Sequence, residues 1–511
     1  MVVETVREEK KGRSFIALLL ERPATLAAFG VVLFVIVFQL SITPANPPGF
    51  HRDEASVAYN AYTLSQDLRD QDGALLPLYI VSFDDYKSPL FVYLLAAVFR
   101  VTEPAAQIAR QVAGAVVLGA VLVIGLIAYG RTRRISVAAT AIVLAGLMPW
   151  LYELGRVAFE TTMEPLLLAV FLLALDWGYR SQRSYLVRAI PVGLALGALA
   201  YVYAAGRLLA PLYALALLVF AGRGRWRWLL ATWGTFAGTL IPLAVYWQNH
   251  PGALTARYER TTFIEKGMSL PTIVGKAISN YLDDVNLWHW VSSGDPRPYI
   301  HAWGAGQLFG SVVVLAIAGA AIVLMRNRGD LWWRFVLVAL VLSPIPAALT
   351  EDRHYALRLL PLPLLLVVLS IPALDLLLRA ARDAWPARLA VAALVAGVVA
   401  QFAQFERSYE NNGPTRTELF EAGVSPLLER AFAGNRSVYI DYDDRYAQTH
   451  ALWYAVSHGM SSSRVSILPD GGIPPAGSIV FGRYQACDYI CTELDRSHSY
   501  WIAKAAGTTP A

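Results

Sequence analysis

Residues 47–55 read Pro-Pro-Gly-Phe-His-Arg-Asp-Glu-Ala, and residues 84–89 read Asp-Asp-Tyr-Lys-Ser-Pro. Both stretches lie in a polar segment, residues 43–105, which separates two long apolar runs. Ionisable groups placed at the edge of apolar segments indicate a functional site. We therefore take Asp53, Glu54 and Lys87 as the first candidates for chemistry.

The composition is typical of a membrane protein that crosses the bilayer many times. Of the 511 residues, 56% are hydrophobic and 16% are charged, and the mean hydropathy is +0.45. A soluble enzyme of this size needs a more polar surface. The chain has two cysteines, Cys487 and Cys491, which are too few for a disulfide scaffold or a cysteine metal cluster. We predict that these two form one local disulfide in an oxidising compartment.

Apolar runs predict about eleven membrane spans. They cover residues 23–40, 106–129, 136–151, 162–178, 188–204, 208–221, 228–247, 306–325, 335–349, 357–378 and 388–405. The first run follows a basic segment without a convincing small-residue cleavage site, so we interpret it as an anchor and not as a removed signal peptide.

Arginine clusters occur in alternate loops and predict the orientation in a plasma (inner) membrane. They lie at residues 131–134, 180–188, 223–227, 326–334 and 379–388. By the positive-inside rule these five loops and the N-terminus are cytoplasmic. An odd number of spans then places the C-terminus outside. Arginines distributed in this way do not indicate nucleic-acid binding.

The first outer loop, residues 43–105, is predicted to contain two helices at the membrane surface. After Asp53, the residues Val57, Ala61, Leu64 and Leu68 recur at helical spacing. Asp53 could alternatively be only the N-cap of this helix. Residues 90–99 form a second apolar piece that is too short to cross the membrane. The other long outer loop covers residues 248–305.

The fold class predicted from these patterns is an all-α polytopic membrane domain, residues 1–405, followed by a small soluble α/β domain, residues 406–511. Strands are predicted at residues 437–441, 464–468 and 478–481, and a helix at 446–458. No internal repeat, P-loop or His/Cys zinc spacing is present in the sequence. Binding of a divalent metal stays open at this stage.

These features together resemble the GT-C glycosyltransferases, in particular family 39, which includes protein mannosyltransferases and aminoarabinose transferases. The resemblance rests on an acidic pair after span one, a Lys-x-Pro before a short helix, outer arginine loops and about eleven spans. In that family the first-loop aspartate acts as catalytic base, which implies this role for Asp53, followed by Glu54. The family's Lys-Pro-Pro-Leu element, which contacts the lipid phosphate, matches Lys87-Ser88-Pro89-Leu90. Ser88 stands where the family element has a proline. Tyr86 stands directly before the lysine, where the family often has an acid.

The resemblance also implies phosphate contacts from arginines at outer span ends, here Arg358 and Arg207. His354, beside Arg353, could bind the same phosphate or clamp lipid headgroups. His289 lies between two tryptophans and could be a sugar platform or an interfacial anchor. Lys87 could instead extend to the headgroups.

Arg156 and Glu160 lie in an outer turn of the same topology. Their spacing of four residues favours an ion pair over a substrate contact.

The activity implied by the resemblance is transfer of a sugar from a polyprenyl-phosphate donor to a hydroxyl of a lipid, glycan or protein acceptor at the outer face. Such a donor carries a good leaving group, so one carboxylate base suffices and direct displacement inverts the anomeric carbon. The main alternative is a transporter or lipid flippase. Transporters favour ionisable groups on broken helices in repeated halves, whereas these spans carry few charges and no halves match. A membrane sensor is a third class, but it would not need an acidic first loop.

Overall fold

The computed structural model describes residues 23–43, 45–83, 85–222, 224–484 and 491–506. In the membrane part the α-helices are Pro23–Leu40, Arg52–Asp67, Pro89–Phe99, Ala106–Thr132, Ile135–Gly146, Pro149–Leu154, Met163–Arg180, Tyr185–Leu199, Ala204–Ala216, Trp226–Thr239, Ile241–Asn249, Ala256–Thr261, Leu270–Asp284, Leu287–Ser292, Gly310–Met325, Leu331–Leu342, Ile345–Ala348, Pro361–Asp383 and Trp385–Asn412. The C-terminal part adds Val424–Ala431 and Arg445–Ser457.

Every predicted span coincides with an apolar helix, which confirms the predicted fold class. Among the described residues, six helical segments are long and apolar enough to cross a membrane by themselves: Ala106–Thr132, Glu160–Arg180, Trp226–Asn249, Leu331–Ala348, Pro361–Asp383 and Trp385–Asn412. The other five predicted spans match shorter apolar helices. The predicted outer helix at residues 90–99 is Pro89–Phe99, which begins with proline at its first turn, where no amide donor is needed.

The helix Pro361–Asp383 lies at the centre of the bundle. Its first half is apolar and buried on all sides, as expected for a helix surrounded by other helices. It approaches Gly310–Met325 so closely that a Cβ at Gly319 would lie 1.9 Å from the Leu369 carbonyl oxygen. Only glycine permits this contact. The last span, Trp385–Asn412, is apolar but little buried, so most of its side chains lie at the surface of the bundle.

The helix Arg52–Asp67 of the first outer loop begins with a capping box formed by His51 and Glu54. The His51 side chain accepts from the Asp53 amide, and the Glu54 carboxylate accepts from the His51 amide. The interpretation of Asp53 as the N-cap is therefore wrong, because His51 has that role. The sequence pattern did not reveal this, since histidine is an unusual capping residue.

The apolar face of this helix is covered by protein and does not lie on the membrane surface as predicted. Val57, Ala61 and Leu64 are buried in one cluster with Phe91 of the next helix and Trp453 of the C-terminal part. Helical periodicity shows that a face is apolar but does not show what covers it.

The C-terminal part contains a five-stranded sheet with helices packed beside it, which agrees with the predicted small α/β fold. Two short strands of the first outer loop, β1 (Ile80–Ser82) and β2 (Asp85–Lys87), form a separate antiparallel hairpin. The C-terminal strands are β3 (Val438–Ile440), β4 (Val465–Ile467), β5 (Ile479–Arg483), β6 (Cys491–Ser497) and β7 (Tyr500–Ala505), in the order β4-β3-β5-β7-β6. β3 pairs in parallel with β4 and β5, and the remaining pairs are antiparallel.

The two last strands were not predicted from the sequence. β6 is largely exposed and polar, so it has no alternation of buried and exposed residues to detect. The proposed boundary at residue 405 falls within the helix Trp385–Asn412, which continues from the last span toward the C-terminal part. Cys487 lies outside the described residues, so its pairing with Cys491 stays a prediction.

Glu421 joins the C-terminal part to the first outer loop. Its carboxylate accepts from the Arg52 amide at 2.7 Å, from His450 Nε2 at 2.8 Å and from the Tyr500 hydroxyl at 2.9 Å. Burial works to raise the pKa of Glu421, but His450 and Arg52 outweigh it and lower the pKa to about 2. The C-terminal part and the first outer loop therefore form one hydrogen-bonded unit.

Candidate active site

A recess of about 380 Å³ lies where the first outer loop, the turns between the spans and the C-terminal part meet. It is polar, and each of these segments contributes to it. The lining residues are His51, Arg52, Asp53, Val57, Ser82, Phe83, Asp85, Lys87, Phe159, Glu160, Thr161, Tyr203, Arg257, Arg260, Tyr299, Tyr355, Leu357, Leu419 and Tyr446.

Asp53 and Lys87 face each other in the recess. Lys87 Nζ donates to Asp53 Oδ1 at 2.7 Å. The first turn of the helix Arg52–Asp67 holds Asp53, whereas Lys87 ends β2 and is buried. Nearly half of the Asp53 side chain, 46%, is exposed to the recess, so part of this carboxylate stays open to a ligand.

Desolvation inside the recess works to raise the pKa of Asp53. Lys87, followed by His51, overcomes this effect and holds the pKa well below its usual range. Asp53 is thus ionised at neutral pH and can accept a proton.

Glu54 points away from the recess and is fully buried. Arg110 binds it through two hydrogen bonds, at 2.9 Å from Nε and 2.7 Å from Nη2. The Ala158 amide donates to the same carboxylate at 3.0 Å. These contacts leave Glu54 no access to a substrate. They give it a structural role and separate it from its neighbour Asp53.

A second ionic cluster lies in the recess around Asp85. Arg260 Nη2 lies 2.8 Å from Asp85 Oδ1, and Arg257 binds the other carboxylate oxygen. The Arg257 Nε atom is buried and has no hydrogen-bond partner among the described residues. Sequence reasoning missed these three residues. The available signals were two arginines three residues apart in the second outer loop and an acid two residues before Lys87.

Glu160 is the third carboxylate of the recess. It accepts a hydrogen bond from the Ser88 amide, directly after Lys87. The predicted ion pair between Arg156 and Glu160 is wrong, because no helix spans the interval from one to the other. Arg156 instead donates to the Phe38 and Gln39 carbonyls.

Arg358 does not line the recess but lies behind Tyr355, which does. Its guanidinium lies 4.5 Å from the centre of the Tyr355 ring. It donates to Thr350 Oγ1 at 2.8 Å and to Asp352 Oδ2 at 3.0 Å. The structure thus gives Arg358 protein partners that support the wall of the recess.

The remaining predicted site residues, Arg207, His354 and His289, also lie outside the lining. Arg207 lies over the Tyr79 ring at 5.3 Å. The His289 and His354 rings contact each other, with centroids 3.7 Å apart. Of the predicted site residues, the recess therefore brings together Asp53 and Lys87.

No group of three His, Cys, Asp or Glu side chains that could hold a metal ion occurs within the described ranges. Two of the recess carboxylates, Asp53 and Asp85, are instead paired with lysine or arginine.

Comparison with solved structures identifies the architecture. The structure of ArnT from Cupriavidus metallidurans bound to undecaprenyl phosphate superposes with a TM-score of 0.57, and its apo state with 0.55. The identities are 12% and 13%, and in both cases 94% of this chain and 97% of the ArnT chain are covered. This chain has the GT-C fold. The resemblance drawn from the sequence is thereby confirmed at the level of the fold. Neither a protein-family model nor a curated protein matches the sequence.

Proposed function

We propose that this protein is an integral membrane glycosyltransferase that uses a polyprenyl-phosphate-linked sugar. The observation that carries the proposal is the open Asp53 carboxylate, held 2.7 Å from the Lys87 ammonium in a polar recess of a GT-C fold. A general base beside a fixed cation is the arrangement that an acceptor hydroxyl and a phosphate leaving group require. The ArnT structure with undecaprenyl phosphate supports the choice of donor class.

In the proposed reaction, Asp53 takes the proton of the acceptor hydroxyl. The hydroxyl oxygen forms a bond to the anomeric carbon while the bond from that carbon to the phosphate oxygen breaks. Polyprenyl phosphate leaves with the electron pair, and the anomeric configuration inverts. No second carboxylate is needed as an acid, because the phosphate is already a good leaving group.

Lys87, Arg257 and Arg260 are the proposed phosphate-binding cations. All three line the recess, and the free Nε donor of Arg257 can bind an anion without giving up its contact with Asp85. Arginine and lysine favour phosphate through charge-assisted hydrogen bonds. We place the phosphate here and not at Arg358, whose hydrogen bonds are made to protein.

Lys87 connects the two halves of the proposed mechanism. When a donor phosphate binds Lys87, the ammonium shares its charge between the phosphate and Asp53. The pKa of Asp53 then rises toward its ordinary value, which makes the carboxylate a stronger base at the moment the donor is in place.

The donor part of this proposal is tested by binding of undecaprenyl phosphate to the full-length protein in lipid nanodiscs, followed by native mass spectrometry. We expect Lys87→Ala and Arg257→Ala each to weaken binding by about ten- to a hundredfold, since charge-assisted contacts to a charged group contribute about 1.5–3 kcal/mol. Arg334→Ala is the matched control, because it removes one exposed positive charge at the opposite side of the predicted topology. Equal binding by all four proteins would contradict the proposed phosphate site.

A further inference from the structure

A second cavity, of about 590 Å³, lies in the C-terminal part. It forms where the parallel strands β3 and β4 end, so the residues that follow each strand provide its walls: 441–444 after β3 and 469–473 after β4. Arg483 at the end of β5, the following Tyr484 and Trp501 of β7 also line it. We refer to this cavity as the sheet-end cleft. The crevice beyond the carboxyl ends of parallel strands is a recurrent place for ligands.

The sheet-end cleft combines exposed aromatic rings with groups that have no partner in the described part of the chain. Tyr442 and Tyr484 are 48% and 65% exposed. The indole N–H of Trp501, a residue only 3% exposed, makes no hydrogen bond, and neither does Arg483 Nη1. A buried donor without an acceptor costs free energy, so a ligand oxygen that accepts from it gains affinity.

The cleft offers hydrogen-bond acceptors as well as hydrogen-bond donors. The carboxylates of Asp443 and Asp470 line the cleft, and no described residue donates to them. Flat aromatic surfaces with several donors and acceptors around them suit a ligand that has apolar faces and many hydroxyl groups. That combination describes a carbohydrate.

The charge of the cleft narrows the class of carbohydrate. Four aspartates and one arginine line it. Such a surface repels phosphate, sulfate and carboxylate groups. A negatively charged glycan is therefore excluded, and a neutral glycan is the simplest ligand that the cleft fits.

The cleft and the catalytic recess have one wall in common. Tyr446 lines both cavities. Its ring contacts Phe83 of the recess, at a centroid distance of 4.5 Å, and the Arg483 guanidinium of the cleft lies 4.0 Å from its centre. A chain of sugar units can thus lie in the cleft while its end reaches past Tyr446 toward Asp53.

We infer that the sheet-end cleft is the acceptor site and that the acceptor is a neutral oligosaccharide chain. The inference rests on the proposed glycosyltransferase function and names its acceptor class. It assigns to the C-terminal part the recognition of the glycan to be extended.

The test uses the full-length protein in lipid nanodiscs without donor, and neutral hexasaccharides of glucose, mannose or galactose as probes in saturation-transfer NMR and calorimetry. We expect at least one probe to bind. Tyr442→Ala and Tyr484→Ala should each weaken that binding about tenfold, and both residues are exposed, so neither change should unfold the protein. Trp501→Phe, which keeps a ring and removes the N–H, should weaken it severalfold.

Tyr185→Ala is the control for the tyrosine variants, because Tyr185 is similarly exposed, at 41%, and lies in the helix Tyr185–Leu199, which does not line the cleft. Binding should be unaffected by this change. The inference is overturned if none of the hexasaccharides binds, if the cleft variants bind like the wild type, or if a serine- and threonine-rich peptide displaces the sugar as an equal competitor. Sugar binding without any transfer activity would contradict the proposed function but would still show that the cleft binds glycans. Transfer that is indifferent to the cleft variants would support the proposed function and overturn the assignment of the cleft as the acceptor site.

Discussion

The contact between Lys87 and Asp53 determines the pH range in which Asp53 can act as a base. Because Lys87 opposes the effect of burial and holds the pKa of Asp53 below its ordinary value of 3.8, the carboxylate stays ionised well into the acidic range. Removing the ammonium in Lys87→Ala leaves burial as the dominant effect, so the pKa of Asp53 rises. We expect the acidic limb of the pH–rate profile to move to higher pH in this variant, measured with saturating donor. An acidic limb at the wild-type position would show that another group titrates.

Among the residues of the recess, the sequence predicted only those that lie together in the first outer loop. Asp53 and Lys87 lie 34 positions apart in the first outer loop, and both were predicted. Arg257 is 172 positions from Asp85, and their pairing depends on how two outer loops fold against each other. The exclusion of Arg358 and Glu54 from the recess also depends on partners that only the folded chain provides, such as Thr350 and Arg110.

The helix Arg52–Asp67 is held to the adjoining span Ala106–Thr132 by the buried pair of Glu54 and Arg110. Breaking a buried ion pair by removing one partner costs about 3–5 kcal/mol, because the other charge stays buried without compensation. We expect Glu54→Ala to lower the free energy of unfolding by this amount, measured by thermal unfolding of the full-length protein in nanodiscs. A double variant with Arg110→Met should lose less than the sum of the single changes. Strict additivity would show that the pair does not act as a unit.

The docking of the C-terminal helix Arg445–Ser457 is expected to depend on pH through Glu421. The pKa of this carboxyl in the folded chain, about 2, lies below its ordinary value of 4.5. Its stabilising contribution is therefore fully present above about pH 4.5 and is lost as the pH falls toward 2. We expect Glu421→Gln to lower the unfolding midpoint at pH 7 and the difference from wild type to shrink over that acidic interval. A difference that does not change with pH would show that the ionised carboxylate is not what stabilises the contact.

The sequence patterns predicted the helices and strands well, but they did not predict which parts of the protein cover them. Apolar runs predicted every span, and short strand patterns predicted β3, β4 and β5, because these signals are local. The surface-helix interpretation of Arg52–Asp67 failed because the same periodicity serves a helix covered by protein, here by Trp453. The edge strand β6 was not predicted because most of its residues are exposed, so its sequence does not alternate between apolar and polar residues as a strand on a core does.

For the whole molecule, the distribution of arginines predicts that the recess and the C-terminal part face outward. A cysteine placed at position 132 by Thr132→Cys should react with a membrane-impermeant maleimide only after the membrane is opened. One placed at position 461 by Ser461→Cys should react in intact cells. The opposite labelling pattern would show that the topology is inverted and that the recess faces the cytoplasm.

The central claim is that Asp53 is the base of a sugar transfer, and it is tested most directly by the Asp53→Asn variant with a polyprenyl-phosphate sugar donor. The amide keeps the shape of the side chain, and the helix cap belongs to His51, so neither the unfolding midpoint nor donor binding should be lost. The transfer rate should fall by about 10²–10⁴-fold, the usual contribution of general-base catalysis. The control is Glu160→Gln, which makes the same chemical change at the other recess carboxylate near Lys87. A transfer rate at the wild-type level in Asp53→Asn would contradict the account.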